Sequence, residues 1–344
     1  MMARLFAKQV VRTDGKLFWE DFPVGQVMDF GCCELSREDI IDFARQFDPQ
    51  PFHIDEQAAR STIFEGLAAS GWHVCVTYMA MFQEHLLSRC QRAGLYGIEE
   101  IKWRIPVRPG DELSCRVTCV ERNVSVGRKG FGICTLFCEG LNACGQTVMS
   151  LRLQLELQLQ SMCHVGLIDA GACVPNKRHG SNVTRLPRQH AITFFEDVQL
   201  GTEISLGGFR FAEESVVSFN ERYGPHPMHP DASENRLCVS GWHVTSIWMQ
   251  RLISYYKSEA ERLRLSGDRA PELGPSPGIK HLRWHRPVYA GDSLIFSSWA
   301  ERKFGVQSRP DWGLLLSGTD VRNQSGKCVV SFYALLLLER RVRA

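Results

Sequence analysis

A duplication constrains this chain more than any single motif does. FWEDFPVGQ at Phe18–Gln26 recurs as FFEDVQLGT at Phe194–Thr202, and FARQFDPQPFHID at Phe43–Asp55 recurs as FNERYGPHPMHPD at Phe219–Asp231. SGWHV begins at both Ser70 and Ser240, and RIPVRPGD, ending at Asp111, returns as HRPVYAGD, ending at Asp292. Landmarks repeated in the same order mean two copies of one fold. The copies span residues 18–160 and 192–344, after an N-terminal arm of residues 1–17. Residues 161–191 between them carry Gly, Pro and basic side chains without hydrophobic periodicity, the mark of a linker.

Each copy predicts the same order of elements. A turn-rich opening leads into a strand, then a short helix, SREDIIDFARQF, with Ser36 as N-cap and Glu38 and Asp39 in its first turn. After the DPQPFH loop comes a long helix over Gly66 to Arg89, in which Leu67, Val74, Tyr78, Met81 and Leu86 form a broad apolar stripe. The small residues Gly66, Ala68, Ala69, Ser70 and Gly71 leave its first turns open to close approach. The period then switches to two over Glu112–Glu121, Phe131–Leu141 and Gln146–Gln158, which read as strands. One buried helix followed by an antiparallel meander is an α+β class with the helix wrapped by the sheet.

Composition narrows the partners. A net charge of +2 with 44% hydrophobic residues carries no nucleic-acid or membrane-surface signal. No apolar run reaches the roughly 18 residues of a spanning helix. Arg4, Lys8, Arg12 and Lys16 precede any apolar core, so the N-terminus does not read as a secretory signal. It has the charge of a weak mitochondrial presequence but is short of serine, and a surface arm is the preferred reading. The 13 cysteines include no CxxC pair, so buried reduced thiols in a cytoplasmic protein are expected, with no metal and no cofactor.

The chemistry concentrates in Asp48-Pro-Gln-Pro-Phe-His53, followed by the helix start. A carboxylate and an imidazole can hold and activate a water, and a helix N-terminus offers free N–H donors and a positive dipole end. Gly66 or Leu67 is the expected backbone donor, with Ser70 a nearby candidate. Two plainer readings stand beside this one: Asp48 as a turn former before proline, and His53 as a core histidine. His73 and His243 recur in both copies beside Trp72 and Trp242, which favours a structural role. The second copy has Gly224 in the position of Asp48; His229 remains, with His226 near it. Lys102, Arg104 and Arg108 precede the Pro-Gly-Asp turn and suit phosphates, or are ordinary solvated charges.

The Asp-x4-His loop, GLAASGWH, RIPVRPGDEL and the duplication together resemble the MaoC-like, (R)-specific enoyl-CoA hydratase family. The resemblance covers nearly the whole chain and implies a double hotdog. It also implies an acyl-CoA substrate and reversible water addition across a 2,3 double bond. Two hotdog units complete one site in this family, so an intrachain pseudo-dimer is expected, with or without homodimerisation. Asp48 and His53 would be catalytic and the C-terminal copy degenerate. Eukaryotic tandem members of the family keep the chemistry in the C-terminal half, an order from which this chain departs. A hotdog thioesterase and a non-catalytic acyl-thioester-binding subunit are the competing readings.

Overall fold

The computed structural model describes residues 15–125, 128–160, 184, 192–223 and 235–341. Most of the N-terminal arm and of the linker lie outside the described residues, as do Gly224, His226 and His229. In the front half, β1 (Val27–Glu34) leads to three helices, α1 (Arg37–Phe47), α2 (Pro51–Ile54) and α3 (Glu56–Arg60). The long helix α4 (Gly71–His85) and strands β2 (Ala93–Trp103), β3 (Glu112–Val124), β4 (Phe131–Leu141) and β5 (Thr147–Gln158) follow. The back half runs β6 (Glu203–Arg210), α5 (Glu213–Tyr223), α6 (Gly241–Leu265), β7 (Gly278–Trp284), β8 (Ser293–Gly305), β9 (Trp312–Asn323) and β10 (Cys328–Glu339).

The strands form one ten-stranded sheet in the order β1-β3-β4-β5-β2-β7-β10-β9-β8-β6. Each half contributes five strands in mirrored order, and β2 joins β7 antiparallel at the seam. Small residues let the seam close: a Cβ on Gly97 would lie 2.7 Å from the Leu282 carbonyl, and one on Gly278 would strike the Ile101 carbonyl. The two long helices pack on one another and against this sheet, α4 on β1 and β3, α6 on β6. At their crossing Trp72 meets Trp242 and Trp248 edge-on, both at 6.3 Å, and Trp248 meets Phe332 at 4.8 Å. This is a double hotdog of the α+β class, with one core shared by both halves.

The long front helix starts later than the sequence suggests. Residues 66–70 lie outside any helix: the Ala68 amide donates to the Phe52 carbonyl and the Ala69 amide to the Val107 carbonyl. These long-range bonds hold the small-residue run against two other segments, and helix begins only where Ser70 caps it. The helix also ends at His85, and Leu87–Arg89 form a separate 3-10 turn. The described cysteines are all free thiols, and burial raises the pKa of Cys75, Cys115 and Cys138. No helix among the described residues is long and apolar enough to cross a membrane.

Candidate active site

Local sequence sets the acid and the imidazole in place. The α1 helix ends at Phe47 with Asp48 as its C-cap, whose amide still donates to the Ala44 carbonyl, because Pro49 cannot continue the ladder. Pro51 then opens α2 as its first residue, and the turn it starts carries His53 back towards Asp48. His53 Nε2 lies 3.4 Å from Asp48 Oδ2, with both side chains buried. The carboxylate accepts from Ser70 Oγ at 2.7 Å and from Gln50 Nε2 at 2.9 Å. Back-half residues brace this loop from outside, Lys257 Nζ donating to the Pro49 carbonyl and Gln250 Nε2 to the Gln46 carbonyl.

The second nitrogen of His53 determines what the first can do. Nδ1 is 2.7 Å from the Ala68 carbonyl, which can only accept, so Nδ1 carries a proton in either charge state. Burial lowers the pKa of His53, opposed by the Asp48 charge and the bond to Ala68. The neutral ring then presents a lone pair at Nε2, on the side of Asp48. That is the geometry of a base, with a carboxylate ready to stabilise the imidazolium.

Ser70 couples this pair to the helix start. Its hydroxyl donates to Asp48 and accepts from the Trp72 amide at 3.3 Å. Gly71 is the first residue of α4, so its amide has no partner within the helix. A Cβ at this position would lie 2.5 Å from the Trp103 indole, whose Nε1 donates to the Gly71 carbonyl at 2.9 Å. Only glycine fits under that ring. Gly71, Asp48 and His53 line one cavity of about 460 Å³. Its walls come from both halves: Phe64, Trp72 and Val107 from the front, Met249, Pro277 and Leu337 from the back.

Several expected roles change here. Gly66 and Leu67 stand outside the helix and do not line the cavity, so the helix-start donor is Gly71. The carbonyls of Gly66 and Leu67 accept from Arg108 Nη1 at 2.7 and 2.9 Å, and that of Phe64 accepts from Arg108 Nη2. Arg108 therefore clamps the loop before the helix and is not presented to a phosphate. Lys102 pairs with Glu100 at 2.5 Å and does not line the cavity. Of the three basic candidates Arg104 alone lines it, with Nε donating to Ser150 Oγ at 3.3 Å. His73 is absent from the cavity wall; it stacks on Phe43 at 4.6 Å, and burial depresses its pKa to about 3. Sequence reasoning missed Gln50, Gly71 and Trp103; it expected the C-terminal copy to shape the acyl pocket but named none of the back-half residues that line it. Ser70 followed by Gly71 was readable as an N-cap, and Trp103 stands in a repeated segment; Arg309, which also lines the cavity, lies in a stretch with no motif of its own.

Beside the back half's helix start the described residues line a smaller cavity. Gly241, Trp242, Trp284, Arg286 and Val288 line a cavity of about 30 Å³ there.

Comparisons with known proteins bear on the family and the fold. Residues 21–133 match the family described as MaoC like domain. The chain is 30% identical over 124 residues to the uncharacterized protein YdeM of Bacillus subtilis (strain 168), covering 36% of this chain and 86% of that one. A MaoC domain protein of Chloroflexus aurantiacus J-10-fl superposes with a TM-score of 0.72 at 16% identity, covering 97% of this chain and all of the other. A conserved hypothetical protein of Mycobacterium tuberculosis with a double hotdog fold gives 0.62 at 15% identity, covering 94% and 99%. At these identities the two structures speak to the fold.

Proposed function

This chain belongs to the MaoC-like family, and on that premise we propose that it is a hydro-lyase that reversibly adds water across the 2,3 double bond of an enoyl-CoA. The observation that supports it most is the buried Asp48–His53 couple opening onto the same cavity as the Gly71 amide. A water held between Oδ2 and Nε2 loses a proton to the neutral imidazole as its oxygen bonds C3. The π electrons move onto the thioester oxygen, which the Gly71 amide and the positive end of α4 stabilise. The couple then returns the proton to C2, and the thioester carbonyl re-forms. Dehydration of a 3-hydroxyacyl-CoA runs through the same steps in reverse. Ser70 and Gln50 hold the carboxylate at the angle this exchange needs.

The test follows the conjugated enoyl-thioester absorbance with purified protein, alongside a thiol reagent for released CoA. Loss of absorbance without thiol release is the expected result. Thiol release would instead identify a thioesterase, and neither signal across a panel of enoyl-CoAs would leave only a binding role.

A further inference from the structure

The hairpins β3–β4 and β8–β9 are copies of one another, and each carries an arginine three residues before its aromatic: Arg128 before Phe131, Arg309 before Trp312. Their strand registers correspond, with Ile133 opposite Glu156 in the front half and Leu314 opposite Leu337 in the back. Glu156 and Leu337 therefore occupy the same place. In front, Arg128 Nη1 donates to the buried Glu156 carboxylate at 2.8 Å, and its guanidinium lies 4.0 Å over Phe131. In back, the arginine is kept and its counter-acid is a leucine. Arg309 makes no ion pair among the described residues. It lines the cavity that holds Asp48 and His53, together with Leu337 itself.

A second cation faces the same space from the other half. Arg104 is anchored on Ser150, and its back-half counterpart, His285, bonds Ser331 in the same way at 2.8 Å. Asp48 is the one acidic side chain among the residues lining this cavity. Two guanidinium groups without a carboxylate partner, brought to one cavity from opposite halves, attract an anion. The chain as a whole is nearly neutral, so this is local arrangement rather than bulk charge.

We infer that Arg309, with Arg104, is an anion receptor for a phosphate or carboxylate oxygen carried by the thioester substrate. The back half, which has Gly224 where the front half has Asp48, then binds substrate directly. This rests on the hydratase reading and adds to it a named binding group.

The experiment compares R309Q with wild type on crotonyl-CoA and on crotonyl-pantetheine, which has the same acyl group and no phosphate. Arg309 is exposed, so the substitution removes charge without opening the core. If the bound oxygen is a phosphate's, R309Q is expected to raise KM on crotonyl-CoA about ten- to a hundredfold, the range for a lost charge-assisted bond, with kcat nearly unchanged. R309K should recover part of the loss, and L337E, which restores the front-half acid, should act in the same direction. Wild-type KM should rise with salt, and R309Q should flatten that dependence. A penalty that vanishes on crotonyl-pantetheine assigns the phosphate. A penalty seen only with a carboxyl-bearing enoyl group assigns the carboxylate. Equal KM values for R309Q and wild type on all three substrates would overturn the receptor. Wild type that hydrates none of them overturns the hydratase reading instead. Calorimetric titration with crotonyl-CoA and with the carboxyl-bearing thioester then decides the receptor: weaker binding of either to R309Q upholds it, and equal affinities for both overturn it.

Discussion

Gly71 and Gly241 open their helices in the same way, each capped by a serine and each beneath a tryptophan, Trp103 or Trp284. One faces a cavity of about 460 Å³ and the other a space of about 30 Å³. The scaffold is therefore retained in both copies, and the difference lies in a few side chains around it. Asp48 is matched by Gly224, Ile105 by Arg286, and Arg104 by His285. The traffic runs the other way at the hairpins, where Arg128 is neutralised by Glu156 and Arg309 is not. The missing acid and the missing counter-charge fall in the same copy, as the proposed function expects of a front half that reacts and a back half that holds substrate.

The largest effect that would break this comparison is on the couple itself. Asp48→Asn and His53→Ala are each expected to lower kcat about 10²–10⁴-fold, the usual contribution of a general acid or base, in a protein that still folds. Circular dichroism and the absorbance assay read the two aspects separately. Next, Gly71→Ala forces Cβ into Trp103 and shifts the helix-start amide, so activity should fall about 10²–10³-fold. Gly241→Ala meets Trp284 in the same way and should lower the urea midpoint comparably while leaving kcat nearly intact. Equal activity losses in the two glycine variants would show that the halves are not functionally distinct.

Ser70→Ala and Ser240→Ala each remove an N-cap and should cost about 1 kcal/mol of stability. Only Ser70 also donates to the carboxylate, so its variant alone should lose activity, on the order of tenfold. Acid stability distinguishes a buried neutral histidine from a solvated one. His73 titrates near 3 when folded and near 6.5 when unfolded, so the unfolded chain binds the extra proton between those values. Its contribution is present above pH 6.5 and falls with slope about 1.4 kcal/mol per pH unit as pH drops from there towards 3. Urea midpoints should follow that slope, and His73→Phe should make it shallower. The smallest effect is expected of Gly224→Asp, which returns an acid to the half whose helix start faces only about 30 Å³ of space and should leave kcat in the absorbance assay nearly unchanged.

Much of the fold was legible because duplication is a covalent fact. Ser36 was readable as a cap and is one, accepting from the Asp39 amide. The alternation of Leu151, Leu153, Leu155 and Leu157 marked β5, and all four are buried. The helix start was misread because the run from Gly66 to Ser70 has small side chains compatible with several conformations. Phe52 and Val107, distant in sequence, decided which one. The basic candidates failed for the same reason: Arg108 is held by carbonyls of residues 64, 66 and 67, across a gap no spacing rule anticipates.

The sequence alone determined that two like units exist, that the class is α+β, and that Asp48 has no counterpart in the second unit. Those properties reside in local pattern and in residue identity, which need no third dimension. Tertiary structure alone decided which amide opens the helix, which nitrogen of His53 faces the acid, and which arginine loses its partner. Each of those depends on a hydrogen bond or an ion pair between segments well separated in sequence, and such pairings exist only once the chain has closed on itself.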